Sequence, residues 1–399
     1  MSNQIIQKIK DLTQLYNNEI IDIRRHIHKY PELSFKEYQT SKYIKDKLNL
    51  FGITDVKNVT ETGVVAIVKG NKKDNTNQRK IALRADMDAL PITEFNKTEY
   101  ISQNNGVMHA CGHDVHTAVL LGTAKIINEL KNEFSGEVMF IFQPAEETFP
   151  GGAISMIKEG LFNEFNPDYI FGLHVQPLME VGNIGMKIGD YMASTDEIYL
   201  TINGKGGHAA TPDLLIDPVI ISANILIGLQ QIASRNCPAN IPMVLSFGRV
   251  ICEGRTNIIP DSVQLHGTLR TMNEQWRKSV HQKIENIATN IAKSFGATCD
   301  IEIAHGYPVL TNNQEATTLL KNAAVEIIGY ENILNLDYRM TAEDFAYFSQ
   351  KYKSCFFRLG ISNGTKHNSN LHTTTFDIDE ASISTGIKVM TWNAIKYIK

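Results

Sequence analysis

Over residues 4–29, Ile5, Ile9, Leu12, Tyr16, Ile20, Ile23 and Ile27 recur at steps of three and four, with polar residues between them. That spacing predicts an amphipathic helix. Pro31 marks its end, because proline cannot continue a helix. A second helix is predicted over 36–50 and is closed by Gly52. Short apolar runs then alternate with helical stretches. Strands are predicted over 64–68, 81–85, 138–142 and 169–173, and helices over 115–130 and 154–160. Continuously apolar strands separated by helices indicate an α/β domain with a mostly parallel sheet, covered by helices on both faces.

The pattern changes near residue 187. EIYLTING (197–204) alternates apolar and polar positions, as a half-buried antiparallel strand does. A helical stretch (218–234), two strand-like runs (243–251 and 262–270), a helix (274–295) and a last strand (299–304) follow. The order β-α-β-β-α-β is that of a ferredoxin-like split motif, so residues 187–306 read as an inserted α+β domain. The first style then resumes, with helices over 314–328 and near 342–350, a strand over 354–359 and a final helix over 380–397. The α/β domain is thus expected to be discontinuous, built from 1–186 and 307–399.

Composition narrows the choice. A chain of 399 residues exceeds the usual single core, in line with two domains. A net charge of −4 gives no reason to expect nucleic acid or an anionic membrane as partner. The longest apolar runs, such as 138–142, are too short to span a bilayer. The amphipathic start lacks the apolar core of a signal peptide, so the cytoplasm is the expected location. Five cysteines form an odd, sparse set, unlike a disulfide framework. Cys237, Cys252, Cys299 and Cys355 read as small buried hydrophobes.

The fifth, Cys111, has different neighbours. HACGHDVH (109–116) precedes a predicted helix, where a helix N-terminus lowers a thiol's pKa. That suits a metal ligand or a nucleophilic thiol equally. DMDALP (86–91), QPAEET (143–148), His174 and a polar loop ending in LHT (371–373) each follow a predicted strand. In open α/β sheets ligands bind beyond the carboxyl ends of strands. Cys111, His113, Glu146, Glu147, His174 and His372 are therefore placed to converge. Alone, His174 reads as a packed or solvated histidine and Glu146–Glu147 as surface charge. Together, a Cys/His/Glu set suits Zn²⁺ or a similar ion, and five ligands exceed one tetrahedral site. Two ions sharing one ligand is the economical reading.

RADMDALP (84–91), HACGHD (109–114), QPAEE (143–147), GGHAATP (206–212), TNIIPD (256–261) and GTLRT (267–271) resemble the M20 metallopeptidase family. They are most similar to its N-acyl-amino-acid amidohydrolases, of the hippurate and auxin-conjugate hydrolase kind. The resemblance implies two divalent ions (Zn, Mn, Co or Ni), with Cys111 bridging them and His113, Glu147, His174 and His372 completing the set. It implies that Glu146 is the general base and that Asp88 orients a ligand. His208 is implied to help hold the oxyanion, and Asn257 and Arg270 the substrate carboxylate. Asp86 stands where relatives outside this subgroup have a metal-binding histidine. His109 and His116 are read as flanking residues rather than ligands, and Glu343 and Asp344 receive no role. The inserted domain is expected to act as a lid, and a homodimer through it is left open. The implied activity is hydrolysis of N-acyl-L-amino acids. A di- or aminopeptidase of the same fold and a non-catalytic metal-containing binding protein are the rivals. Retention of Glu146 argues against the binding protein, which has no need of a general base.

Overall fold

The computed structural model describes residues 2–72, 79–364 and 369–398. It divides into two compact units, one of Met1–Gly189, Thr311–Asp337 and Asp344–Lys399, the other of Asp190–Leu310 and Tyr338–Glu343. The short segment 338–343 thus joins the second unit, whereas the sequence pattern leaves it in the closing part of the first.

The first unit is built on an eight-stranded sheet. Its order is Val56–Asn58, Val64–Lys69, Glu137–Gln143, Lys80–Asp86, Tyr169–Glu180, Ser354–Ser362, Ile184–Met186 and Ile333–Asn335. The four central strands, from Glu137–Gln143 to Ser354–Ser362, run parallel. Antiparallel pairings lie to either side of them. The central strands are buried along most of their length and largely apolar, as the mostly parallel α/β expectation requires, because helices deny water to the sheet. The long helices Ser2–Lys29, His113–Glu129 and Ala381–Ile398 pack against one another. Ile5, Ile9, Ile20, Ile23 and Ile27 of the first are all buried, so its periodic face enters the core.

The second unit is ferredoxin-like. Its antiparallel sheet has the order Met243–Ile251, Ser262–Thr271, Ser194–Asn203, Thr298–His305. Helices Pro218–Gln231 and Glu274–Ser294 supply the core with Ile225, Leu229, Val280 and Ile284 against Ile198, Leu200, Leu265 and Leu269. Both helices start on side-chain caps. Asp217 accepts from the Val219 and Ile220 N–H groups, and Asn273 from that of Trp276, satisfying donors that a helix start leaves open.

Some expectations shift. The strand expected over 169–173 runs on to Glu180, past Pro177. Proline donates no ladder bond, and the register with Ser354–Ser362 slips beside it, between Gly360 and Ser362. The helix expected near 342–350 contracts to Ala346–Ser349. Cys355 is buried, but Cys252 is exposed just past the end of its strand, contrary to its reading as a core hydrophobe. Among the described residues, no helix is long and apolar enough to cross a membrane.

Asp196 anchors the second unit. Its buried carboxylate accepts from Arg277 Nε at 2.9 Å, His281 Nε2 at 2.6 Å and the Gly306 N–H at 3.1 Å. Burial opposes ionisation, but the bonds and charges of Arg277 and His281 outweigh it and bring the carboxyl down to about 2. A depressed pKa stabilises the fold above the unfolded aspartate value and loses that contribution as pH falls through the folded one. Asp196→Asn is therefore expected to lower stability by about 2 kcal/mol near pH 6. That gap should narrow as pH drops from about 4 towards 2, read from urea midpoints of both proteins across pH.

Candidate metal centre

Within the first unit the candidate ligands do converge. Cys111 Sγ lies 3.3 Å from His174 Nε2. The ligand atoms of Cys111, His113 and His174 form one group within 4.8 Å of one another, and those of Cys111, Glu147 and His372 form another. His113, Glu146 and Glu147 make a third. Cys111 thus stands in two of these groups.

Local backbone explains the placement. Gly112 takes φ 83° at the start of helix His113–Glu129. A Cβ there would meet Val175 Cγ2 at 2.6 Å, so only glycine lets the helix start this close to the neighbouring strand. Cys111 and His113 flank that turn. Ala145 and His372 also have left-handed φ, of 50° and 61°. For non-glycine residues this costs on the order of 1–3 kcal/mol and persists only where the surroundings hold it. Here the Ala145 N–H donates to Glu37 Oε1 at 2.8 Å and the His372 N–H to the Ala110 carbonyl at 2.8 Å.

Hydrogen bonds orient the imidazoles. His174 Nδ1 lies 2.8 Å from the Val175 carbonyl, and His113 Nδ1 lies 2.9 Å from that of Asp88. A carbonyl only accepts, so each Nδ1 carries a proton, and Nε2 is the atom turned to the site. His113 Nε2 and Glu147 Oε1 are buried without a hydrogen-bond partner, although His372 Nε2 comes within 3.1 Å of that oxygen. Orphaned buried groups of this kind call for a missing ligand.

Asp88 gathers these segments. It accepts from Ser34 Oγ at 2.7 Å, from the Glu146 N–H at 3.1 Å and from the Glu147 N–H at 3.0 Å, with His113 Nδ1 also at 3.1 Å from Oδ1. Asp86 serves a different purpose. Its oxygens meet His116 Nδ1 at 2.5 Å and Arg84 Nη1 at 2.7 Å. His116 Nε2 in turn accepts from the Val175 N–H at 3.0 Å, so both ring nitrogens of His116 are spoken for. Arg84 continues to Gln143 Oε1 and to Asp344 Oδ1, each at 2.8 Å, and Asp344 also accepts from the Ala153 N–H at 2.9 Å. This gives Asp344 a structural place beneath the site. His109 lies buried beside it with neither ring nitrogen bonded, and burial brings its pKa down to about 3.

The electrostatics are those of an anionic pocket. Burial pushes the Cys111 thiol well above its ordinary value, and Glu147, Glu146 and Asp86 add to the shift. Burial would lower His113, but Asp86, Asp88 and Glu147 raise it to about 10. The same carboxylates favour a cation in place of that proton. With the Cys/His/Glu donors and the two orphaned atoms, the residues fit divalent ions of the zinc type. Glu37 is the buried group that sequence reading missed. Burial and the nearby Asp88 raise its carboxyl to about 7.

The remaining candidates belong to the second unit. His208 is exposed on a two-stranded ribbon, paired with Ile258 beside Asn257. Its Nδ1 accepts from the Ala210 N–H at 3.0 Å. The ribbon is tied to Asp261, which accepts from the Gly206 N–H at 2.8 Å just before strand Ser262–Thr271 begins. Arg270 lies near the other end of that strand, opposite Thr195. Eight steps along a strand span roughly 26 Å, which sets Arg270 far from the Asp261 end to which the ribbon of His208 and Asn257 is tied.

Comparison with known proteins agrees with this geometry. The chain is 41% identical over 309 residues to the N-acyl-L-amino acid amidohydrolase of Geobacillus stearothermophilus, covering 77% of this chain and 82% of that protein. It is 38% identical over 377 residues to an N-acetylcysteine deacetylase of Bacillus subtilis, covering 92% and 94%. Among solved structures, the Bacillus subtilis YXEP protein, described as a dinuclear metal binding peptidase, superposes with a TM-score of 0.81 at 33% identity, covering 96% of this chain and 99% of that one. The model of peptidase family M20/M25/M40 matches residues 82–392, and with that span, these relatives and the ligand-type cluster at the strand ends, the chain belongs to this family.

Proposed function

We propose that the protein hydrolyses the amide bond of small N-acyl-L-amino acids, hippurate-like or N-acetylated, releasing a carboxylic acid and a free amino acid. The observation that carries this reading is the cluster of Cys111, His113, Glu147, His174 and His372, in which Cys111 groups with His113 and His174 and again with Glu147 and His372, so that its sulfur would suit a ligand shared by two ions. His113 and His174 complete one group, and Glu147 and His372 the other. These residues would hold two divalent ions, whether Zn, Mn, Co or Ni, which when bound would supply Lewis acidity toward the scissile carbonyl and an attacking water.

The chain's own residues do the rest. Glu146 takes a proton from the water and delivers it to the leaving amine. Asp88 fixes the His113 ring and the Glu146–Glu147 backbone. Asn257 and Arg270 hold the substrate carboxylate, for which the arginine fork is suited, and His208 steadies the oxyanion. The test is product release by metal-loaded protein from benzoyl-, acetyl- and indoleacetyl-amino acids, with dipeptides as the competing class. Turnover of dipeptides alone would replace this reading with a peptidase.

The two adjacent glutamates are expected to separate. Glu146→Gln should slow turnover by about 10²–10⁴-fold and keep the wild-type metal content by elemental analysis. Glu147→Gln should lose metal, since a neutral amide is the poorer ligand. The reverse pattern would exchange their roles.

The separation of Arg270 from the ribbon that carries His208 supports a further expectation. If both touch one substrate, they come from two copies of the chain. His208→Ala and Arg270→Ala chains, each inactive alone, should then regain about a quarter of wild-type activity when co-expressed in equal amounts, because half the dimers are mixed and each has one intact site. A mixture as inactive as its components would place both residues in one copy's site.

A further inference from the structure

The turn carrying Glu146 and Glu147 is held through three consecutive backbone N–H groups. Asp88 takes two of them, on Glu146 and Glu147. The third, on Ala145, goes to Glu37 Oε1 at 2.8 Å. Ala145 is the turn's left-handed residue, with φ 50°, a conformation that alanine does not hold unaided.

Glu37 is built for this task. It is fully buried, and its Oε1 also accepts from the Phe35 N–H at 3.0 Å. Thr62 Oγ1 donates to Oε2 at 2.9 Å and fixes the rotamer. Phe35 is itself left-handed, with φ 63°. One carboxylate oxygen therefore locks two left-handed residues from segments 110 positions apart in sequence (145 − 35). A buried glutamate without a basic partner is costly to keep, and among the described residues no lysine, arginine or histidine hydrogen-bonds to Glu37.

We propose that Glu37 is a positioning residue that sets the backbone of the Ala145–Glu147 turn and thereby aims the Glu146 carboxylate. The reading of Glu146 as proton carrier underlies the second half of this statement. Glu37→Ala leaves the Ala145 N–H without an acceptor and lets the turn relax out of its left-handed geometry. Glu37→Gln keeps an amide oxygen for Ala145 and Phe35, while Thr62 accepts from the new amide instead of donating. Misplacing a catalytic group by about 1 Å costs on the order of 100-fold in rate.

The experiment measures hydrogen exchange of peptides covering 144–148 beside kcat, KM and metal content, in wild type, Glu37→Ala, Glu37→Gln, Thr62→Val and Glu146→Gln. Expected is faster exchange at 144–148 in Glu37→Ala, with the neighbouring strand 137–143 unchanged. A kcat loss of roughly 10- to 100-fold at near-constant KM should accompany it, and Glu37→Gln should restore both. If Glu37→Ala does not fold, Thr62→Val should show the same signature in weaker form. Unchanged exchange at 144–148, or slow turnover in Glu146→Gln with full turnover in Glu37→Ala, overturns the proposal. Faster exchange with full turnover in both Glu37→Ala and Glu146→Gln upholds the hold on the turn and removes Glu146 from the chemistry instead.

Discussion

Asp88 is bonded at once to Ser34, to His113 and to the backbone of both Glu146 and Glu147. Those groups come from three distant parts of the chain, and none would hold its angle without a shared acceptor. A carboxylate has about four lone-pair sites, and here each is matched to a donor. Its ionised state is favoured by the His113 bond and charge against the cost of burial. The geometry of the whole centre is therefore referred to one side chain, which itself lies two residues past the end of strand Lys80–Asp86.

Around that hub the charges are sorted into two layers. Asp86 faces Arg84 and His116 and is neutralised within the protein, with Gln143 and Asp344 completing the network. Glu147 and Cys111 face the other way. His113 Nε2 remains without a hydrogen bond, Glu147 Oε1 has only His372 Nε2 beside it at 3.1 Å, and the thiol is pushed to high pKa by burial and then by its acidic neighbours. A buried charged group is costly unless hydrogen bonds or something of the other sign completes it. The lower layer is finished by arginine, and the upper layer fits divalent cations.

Much of this was legible in sequence. The helical face of Ile5 to Ile27, the apolar central strands and the ferredoxin-like order of the inserted segment all follow from periodicity, because burial on one face or two is written directly into the residue pattern. The convergence of Cys111, His113, Glu147, His174 and His372 was legible from motifs that follow or flank strands. Glu37 was not, since a glutamate in LSFKEY beside a helix start reads as ordinary surface charge. Its burial depends on Thr62 and Ala145, which no local pattern connects to it. Nor was Asp344, whose partners Arg84, Gln143 and Ala153 lie about two hundred residues or more away in sequence. The run of Tyr169–Glu180 past Pro177 was hidden for a related reason, as tolerance of a proline depends on the register of the neighbouring strand.

The sheet of the first unit is closed by a late piece of chain. Strand Ser354–Ser362 lies between Tyr169–Glu180 and Ile184–Met186, fully buried along its length. During synthesis, the hydrogen-bonding edge of Tyr169–Glu180 stays open until more than 170 further residues have left the ribosome (354 − 180 = 174). At about 5–20 residues per second, that is a wait on the order of ten seconds or more. The second unit, contained almost wholly in 190–310, can complete its own sheet within that interval. An apolar strand edge exposed for so long is a template for pairing with another chain. The interval between the two halves of the sheet is thus when the edge of Tyr169–Glu180 is most open to pairing with another chain.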